Sequence, residues 1–72
     1  MKKVEIKLKD LLESRGMSQA KLSETIGIRP GTINDLYHNR NKHIPRNVID
    51  KIVNELDVKD IKELLTIEET DV

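Results

Sequence analysis

Two glycines set the grain of this chain. Gly16 and Gly27 stand eleven residues apart, and each follows a short apolar pattern at helical spacing. The first pattern is Leu8, Leu11 and Leu12, an i, i+3, i+4 stripe that Gly16 stops. Arg15 sits well there, near the negative end of that helix. The second pattern is Leu22 and Ile26. Ser18 opens it as an N-cap whose hydroxyl suits an orphan amide, and Met17 can staple onto Leu22. Gly27 then stands where a helix turns out through the left-handed region, which a residue without a Cβ enters freely. Helices of about two turns, parted by so little chain, must cross at a steep angle.

A third helix follows almost at once. Pro30 fits its first position, where a missing N–H costs nothing, and Arg29 then takes the N-cap, a place that suits it poorly. Ile28 and Ile33 repeat the staple spacing. Ile33, Leu36 and Tyr37 form the inner stripe, and Gly31, Asn34, Asp35 and His38 fall on the outer face. Tyr37, the one aromatic side chain of this type, is read as core packing rather than base stacking. Residues 39–44 are polar and basic and read as a loop. A fourth helix is predicted near Pro45, carrying Ile49, Ile52, Val53 and Leu56. A fifth follows Asp57 and Val58, carrying Ile61, Leu64 and Leu65. The expected fold class is all-α, a compact five-helix domain over residues 1–67 with an acidic frayed tail over 68–72. Val4, Ile6 and Leu8 alternate with Glu5 and Lys7, which fits either a short strand beside Thr66 and Ile67 or an irregular extension of the first helix.

Size and charge narrow the function. With 72 residues and no cysteine, the chain has one small core to stabilise it, and a deep catalytic cavity would compete with that core. No apolar run exceeds two residues, so neither a membrane span nor a secretory leader is expected, and the absence of cysteine fits a cytoplasmic setting. The formal net charge is zero, yet residues 1–46 hold ten Lys and Arg against five Asp and Glu, while residues 47–72 hold three against eight. Such asymmetry is a hint of polyanion contact on the basic half. His38 and His43 lack further ligands at metal spacing, and Ser14, Ser18 and Ser23 lack a His–acid pair. No enzyme, cofactor, metal or small-molecule ligand is expected.

The stretch 17–38, MSQAKLSETIGIRPGTINDLYH, holds the informative pattern. Ser23 is small enough for two helices to approach, Gly27 permits the turn, and Ile28 and Ile33 anchor the second helix with its other face free. Met17-Ser18-Gln19, Leu22-Ser23, Gly27-Ile28-Arg29, Thr32-Ile33 and Leu36 resemble, in order, the Cro/CI-type (XRE-like) helix-turn-helix regulators of bacteria and phages. The likeness extends over about residues 7–65. It implies a lambda-repressor-like domain whose recognition helix, about 29–38, enters the DNA major groove. It implies that Gln19 reaches a phosphate and braces that helix, that Thr32 lies near the backbone or groove, that Asn34 and Asp35 face the groove, and that Arg40 and Lys42 touch phosphate. The places most used for base reading hold Pro30 and Gly31, the usual Ser N-cap is Arg29, and a usual Glu is Tyr37. Readout would therefore shift to Arg29, Asn34, Asp35 and His38. Arg can pair bidentately with guanine, Asn with adenine, and Asp can accept from cytosine. Lys21, with Arg29, Arg40, Lys42 and Arg46, would supply counterion release.

The reading is sequence-specific double-stranded DNA binding by a transcriptional regulator, in the manner of a repressor. A homodimer through the fifth helix and the terminal segments would complete it, since one recognition helix reads about half a site. The alternative is a helix-turn-helix module that binds another regulator instead of DNA, because fold does not dictate function.

Overall fold

The computed structural model describes residues 1–70. In chain order they form β1 (Lys2–Ile6), α1 (Leu8–Arg15), α2 (Gln19–Ile26), α3 (Pro30–Tyr37), α4 (Arg46–Glu55), one turn of 3-10 helix (Ile61–Glu63) and β2 (Leu65–Glu69). All four helices stop in the same way. A residue in the left-handed region follows each of them: Gly16 (φ 64°), Gly27 (φ 68°), Asn39 (φ 58°) and Asp57 (φ 51°). The next N–H then reaches back five residues. Met17 donates to the Leu12 carbonyl at 3.0 Å, Ile28 to Ser23 at 3.1 Å, Arg40 to Asp35 at 2.9 Å and Val58 to Val53 at 2.9 Å. These bonds satisfy carbonyls that the helix itself leaves open.

The core gathers one stripe from each helix. Leu8, Leu11 and Leu12 of α1, Leu22 of α2, Ile33 and Leu36 of α3, and Val48 and Ile52 of α4 are buried, joined by Ile6, Leu56 and Leu64. Met17, Ile26, Ile28 and Tyr37 pack against it half-buried. Arg15 closes one end: its Nε donates to the Leu56 carbonyl at 3.2 Å, and its guanidinium meets Glu63 at 3.3 Å.

The expected fifth helix is not there. Ile61 is 52% exposed, only a single 3-10 turn forms, and Leu65 already opens a strand. The turn is closed at once by a capping box. The Asp60 carboxylate accepts from the Lys62 N–H at 2.9 Å, and the Glu63 carboxylate accepts from the N–H groups of Lys59 at 3.0 Å and Asp60 at 3.3 Å. Beyond it the chain finds β1, whose open edge offers more backbone partners than another helical turn would. β1 and β2 pair antiparallel, with Val4 opposite Ile67 and Glu5 opposite Thr66. The N-terminal residues thus take the strand option beside Thr66 and Ile67, and Leu8 opens α1 instead. The domain is mostly helical, with four α-helices and a small two-stranded sheet.

The acidic tail is partly built in. Glu68 and Glu69 stand opposite Lys3 and Lys2 in the sheet, so fraying does not begin at residue 68, while residues 71–72 lie outside the described residues. The pairing also folds the charge asymmetry back on itself. Lys7 meets Glu68 at 3.4 Å, and the N-terminal ammonium meets Glu69 at 3.2 Å.

These contacts predict an acid response. Glu63 is held below the ordinary carboxylate value of 4.5, first by the Lys59 and Asp60 N–H groups and then by Arg15. Glu68 is lowered by the Thr66 hydroxyl and then by Lys7. A carboxyl with a depressed folded pKa stabilises the fold above its unfolded value, and that contribution is lost as pH falls through the folded value. Urea midpoints should therefore drop as pH is lowered past 4.5, and Glu63→Gln should be less stable at pH 7 with a shallower drop. Parallel acid profiles for the two chains would show that the capping box holds no special carboxylate.

Candidate nucleic-acid interface

The α2–α3 unit is locked from its turn outward. Ser18 caps α2, its hydroxyl accepting from the Lys21 N–H at 3.0 Å. Only residues 27–29 separate α2 from α3. Across that turn Ser23 does more than stay small: its buried hydroxyl donates to the Ile28 carbonyl while its own carbonyl accepts the Ile28 N–H. With Leu22 and Ile33 fully buried on the inner side, the angle between the helices is set by packing and by hydrogen bonds together.

The outer side carries the residues singled out from the sequence, and four of them join. Gln19, half-buried at the start of α2, accepts from the Asn34 side chain at 3.0 Å. The Asn34 carbonyl oxygen accepts from an Arg40 Nη at 2.6 Å, and the same Nη lies 3.5 Å from the Asp35 carboxylate. Gln19, Asn34, Asp35 and Arg40 thus form one polar chain across α2, α3 and the segment after α3. The rest stand apart from it. Lys21 and Lys42 are exposed, and neither makes an ion pair among the described residues. Arg29 is exposed at the N-cap of α3 with no capping bond from its side chain. Thr32 is half-buried in the first turn, its N–H donating to the Arg29 carbonyl at 3.0 Å. His38 is exposed, with the Tyr37 ring edge-on at 5.0 Å. Tyr37 itself packs half-buried on the core.

Asn39 is the residue that sequence reasoning left in the loop. It takes the left-handed position that ends α3, its N–H donating to Leu36 at 3.2 Å. Its side-chain oxygen accepts the Ile6 N–H at 2.9 Å, and its side-chain amine donates to Glu5. One asparagine therefore terminates the helix, aims the chain toward Arg40 and ties that end of α3 to β1. The available signal was the tolerance of asparagine for positive φ, at a helix end with no glycine.

Residues 7–70 match the model of the Cro/C1-type HTH DNA-binding domain. The chain belongs to that family. Among solved structures it is similar to the transcriptional regulator VanUg, in a crystal structure called Form II. The TM-score is 0.74 and the identity 26%, over 96% of this chain and 89% of that one. No curated protein matches the chain at a significant level. At the N-terminal end of α3, Pro30 and Gly31 present no donor or acceptor side chain, and the residue before them is the exposed Arg29. No helix among the described residues is long and apolar enough to cross a membrane.

Proposed function

We propose that this Cro/C1-type domain binds double-stranded DNA sequence-specifically and regulates transcription as a repressor, with α3 in the major groove. The observation that carries the reading is the set of free cations around the helix-turn-helix. Lys21, Arg29, Lys42 and Arg46, between the start of α2 and the start of α4, are exposed and unpaired among the described residues; Lys2, Lys3, Lys9, Lys51 and Lys62 are free elsewhere on the surface. Unpaired cations around a helix-turn-helix are free to displace counterions from DNA phosphates. Arg29 supplies the base contact nearest the α3 N-terminus, a bidentate pair with guanine; Thr32, Asp35 and His38 flank it. The work is done in the cytoplasm of a bacterium, on host or phage DNA, and involves no catalytic step.

Two half-sites call for two copies. The partner surface is the 3-10 turn with the terminal strands, where Val4, Ile61 and Ile67 stand exposed on the described chain. Repression is by occluding the promoter.

The test is binding to duplexes enriched from a random library, measured across a salt series. Each phosphate contact adds about 0.9 to the slope of log K against log salt, so Lys21, Arg40, Lys42 and Arg46 on phosphates predict a slope of about −3 to −4. Arg29→Ala should relax preference at one base pair at a cost of about 1–3 kcal/mol. No enriched duplex, with a protein regulator retained instead, would favour the interaction-module alternative.

A further inference from the structure

We propose that Asn34 is a positioning residue: it bridges Gln19 and Arg40 so that both present donors to DNA phosphates, and it reads no base itself. The inference rests on the proposal that α3 enters the major groove.

An asparagine side chain has one carbonyl oxygen and one amine, and reading adenine bidentately needs both at once. In this fold each already holds a partner, on two different elements, and those bonds fix how the amide is turned. The amine donates to Gln19 at 3.0 Å, and the oxygen accepts from Arg40 at 2.6 Å. The second bond is charge-assisted, so releasing it to reach a base edge is the costlier of the two exchanges.

The direction of the chain follows from Arg40 alone. A guanidinium has donors only. The Asn34 atom facing it must therefore be oxygen, which turns the Asn34 amine toward Gln19. The Gln19 atom facing that amine must in turn be oxygen, which leaves the Gln19 amine as the free end. At the other end only one Nη of Arg40 is engaged, by Asn34 and Asp35, and the rest of the guanidinium stays open on a residue whose side chain is 57% exposed. The bridge thus presents N–H donors at both of its ends, Gln19 and Arg40. Phosphate oxygens only accept, so they suit both ends; base edges carry donors and acceptors in a pattern and suit neither as well.

The backbone supports the same placement. The end of α3 fixes the Arg40 N–H on the Asp35 carbonyl at 2.9 Å, which turns the chain back over the last turn of the helix. Gln19 is the first residue of α2, next to its Ser18 cap. Asn34, between them in sequence and in space, couples the start of one helix to the exit of the other.

Five chains test this: wild type, Asn34→Ala, Asn34→Asp, Arg40→Ala and the double variant of Asn34→Ala with Arg40→Ala, each against the enriched duplex and an unrelated one. Asn34→Ala should lower affinity about tenfold on both duplexes, leave the preferred sequence unchanged and reduce the salt slope by about one. The double variant with Arg40→Ala should be little weaker than Arg40→Ala alone. Asn34→Asp should weaken binding as much while the fold keeps its melting temperature. It holds Arg40, but its second oxygen turns the Gln19 amine inward and an acceptor outward. A purely structural role would not separate affinity from stability in this way. Loss of preference at one base pair, with the unrelated duplex unaffected, would overturn the assignment. The bridge is also read without DNA: Arg40→Ala should shift the side-chain amide resonances of both Asn34 and Gln19. An unmoved Gln19 signal would overturn the bridge, whereas a shifted signal in a chain that binds no duplex would overturn the DNA role.

Discussion

Ile33→Ala should leave much of the chain unfolded at room temperature. Ile33 is fully buried at the centre of α3, among Leu22, Leu36 and the other core side chains. Truncating a buried isoleucine to alanine costs about 2–5 kcal/mol, the lost transfer term plus the cavity left behind. A single core in a chain this short rarely supplies more than about 3–5 kcal/mol in all. The side chain is also part of the packing that holds α3 on the core beside α2. Circular dichroism melts should show a fall of at least about 10 °C, taking 4–8 °C per kcal/mol at this size. A drop of only a degree or two would mean that the core is not organised around α3.

Asn39→Ala should be the most damaging change outside the core. Two costs add. The Ile6 N–H loses its partner, at about 1–3 kcal/mol for a donor left unsatisfied. Alanine must also hold φ near 58°, at about 1–2 kcal/mol. Asn39→Gly carries only the first cost, since glycine enters that region freely. Urea midpoints should therefore rank wild type above Asn39→Gly and Asn39→Ala lowest. Amide exchange should quicken in β1 for both variants and at the adjoining Lys7, whose N–H donates to the Leu64 carbonyl at 2.6 Å. Equal midpoints for the two variants would remove the left-handed cost from the account, and wild-type midpoints for both would remove the tether to β1.

The contrast between glycine and asparagine explains much of what the sequence could disclose. Gly16 and Gly27 are legible as helix ends because glycine after an apolar stripe has few other reasons to be there. Asn39 and Asp57 do the same work, but both residue types are common in any polar loop. The fifth helix was misread for a related reason. Ile61, Leu64 and Leu65 have helical spacing, yet only Leu64 is fully buried, because a strand about sixty residues upstream supplies the backbone partners. Spacing sees four residues ahead and not across the chain. In α4 the stripe omits one residue: Val48 is buried along with the expected Ile52 and Leu56, and Ile49 and Val53 pack half-buried against the core.

The candidate interface divides the same way. Each of Gln19, Lys21, Arg29, Thr32, Asn34, Asp35, His38, Arg40 and Lys42 is visible as a polar residue on a helix-turn-helix. That Gln19, Asn34 and Arg40 join into one chain is not, since the link runs across two helices and depends on how α3 exits. The charge asymmetry likewise changes meaning. Lys2 and Lys3 of the basic half stand opposite Glu69 and Glu68 of the acidic half and Lys7 pairs with Glu68, so part of the basic half faces acidic residues and not the α2–α3 side.

The central claim is that this side of the molecule, from Ser18 to Lys42, is the face that meets DNA. Titrating isotope-labelled protein with an enriched duplex, and following the backbone and side-chain amides, tests it directly. The account predicts that the largest shifts fall at Gln19, Lys21, Arg29, Thr32, Arg40 and Lys42, with Val4, Ile61 and Ile67 unmoved by DNA contact. Shifts confined to the sheet and the 3-10 turn, with the α2–α3 side silent, would contradict it.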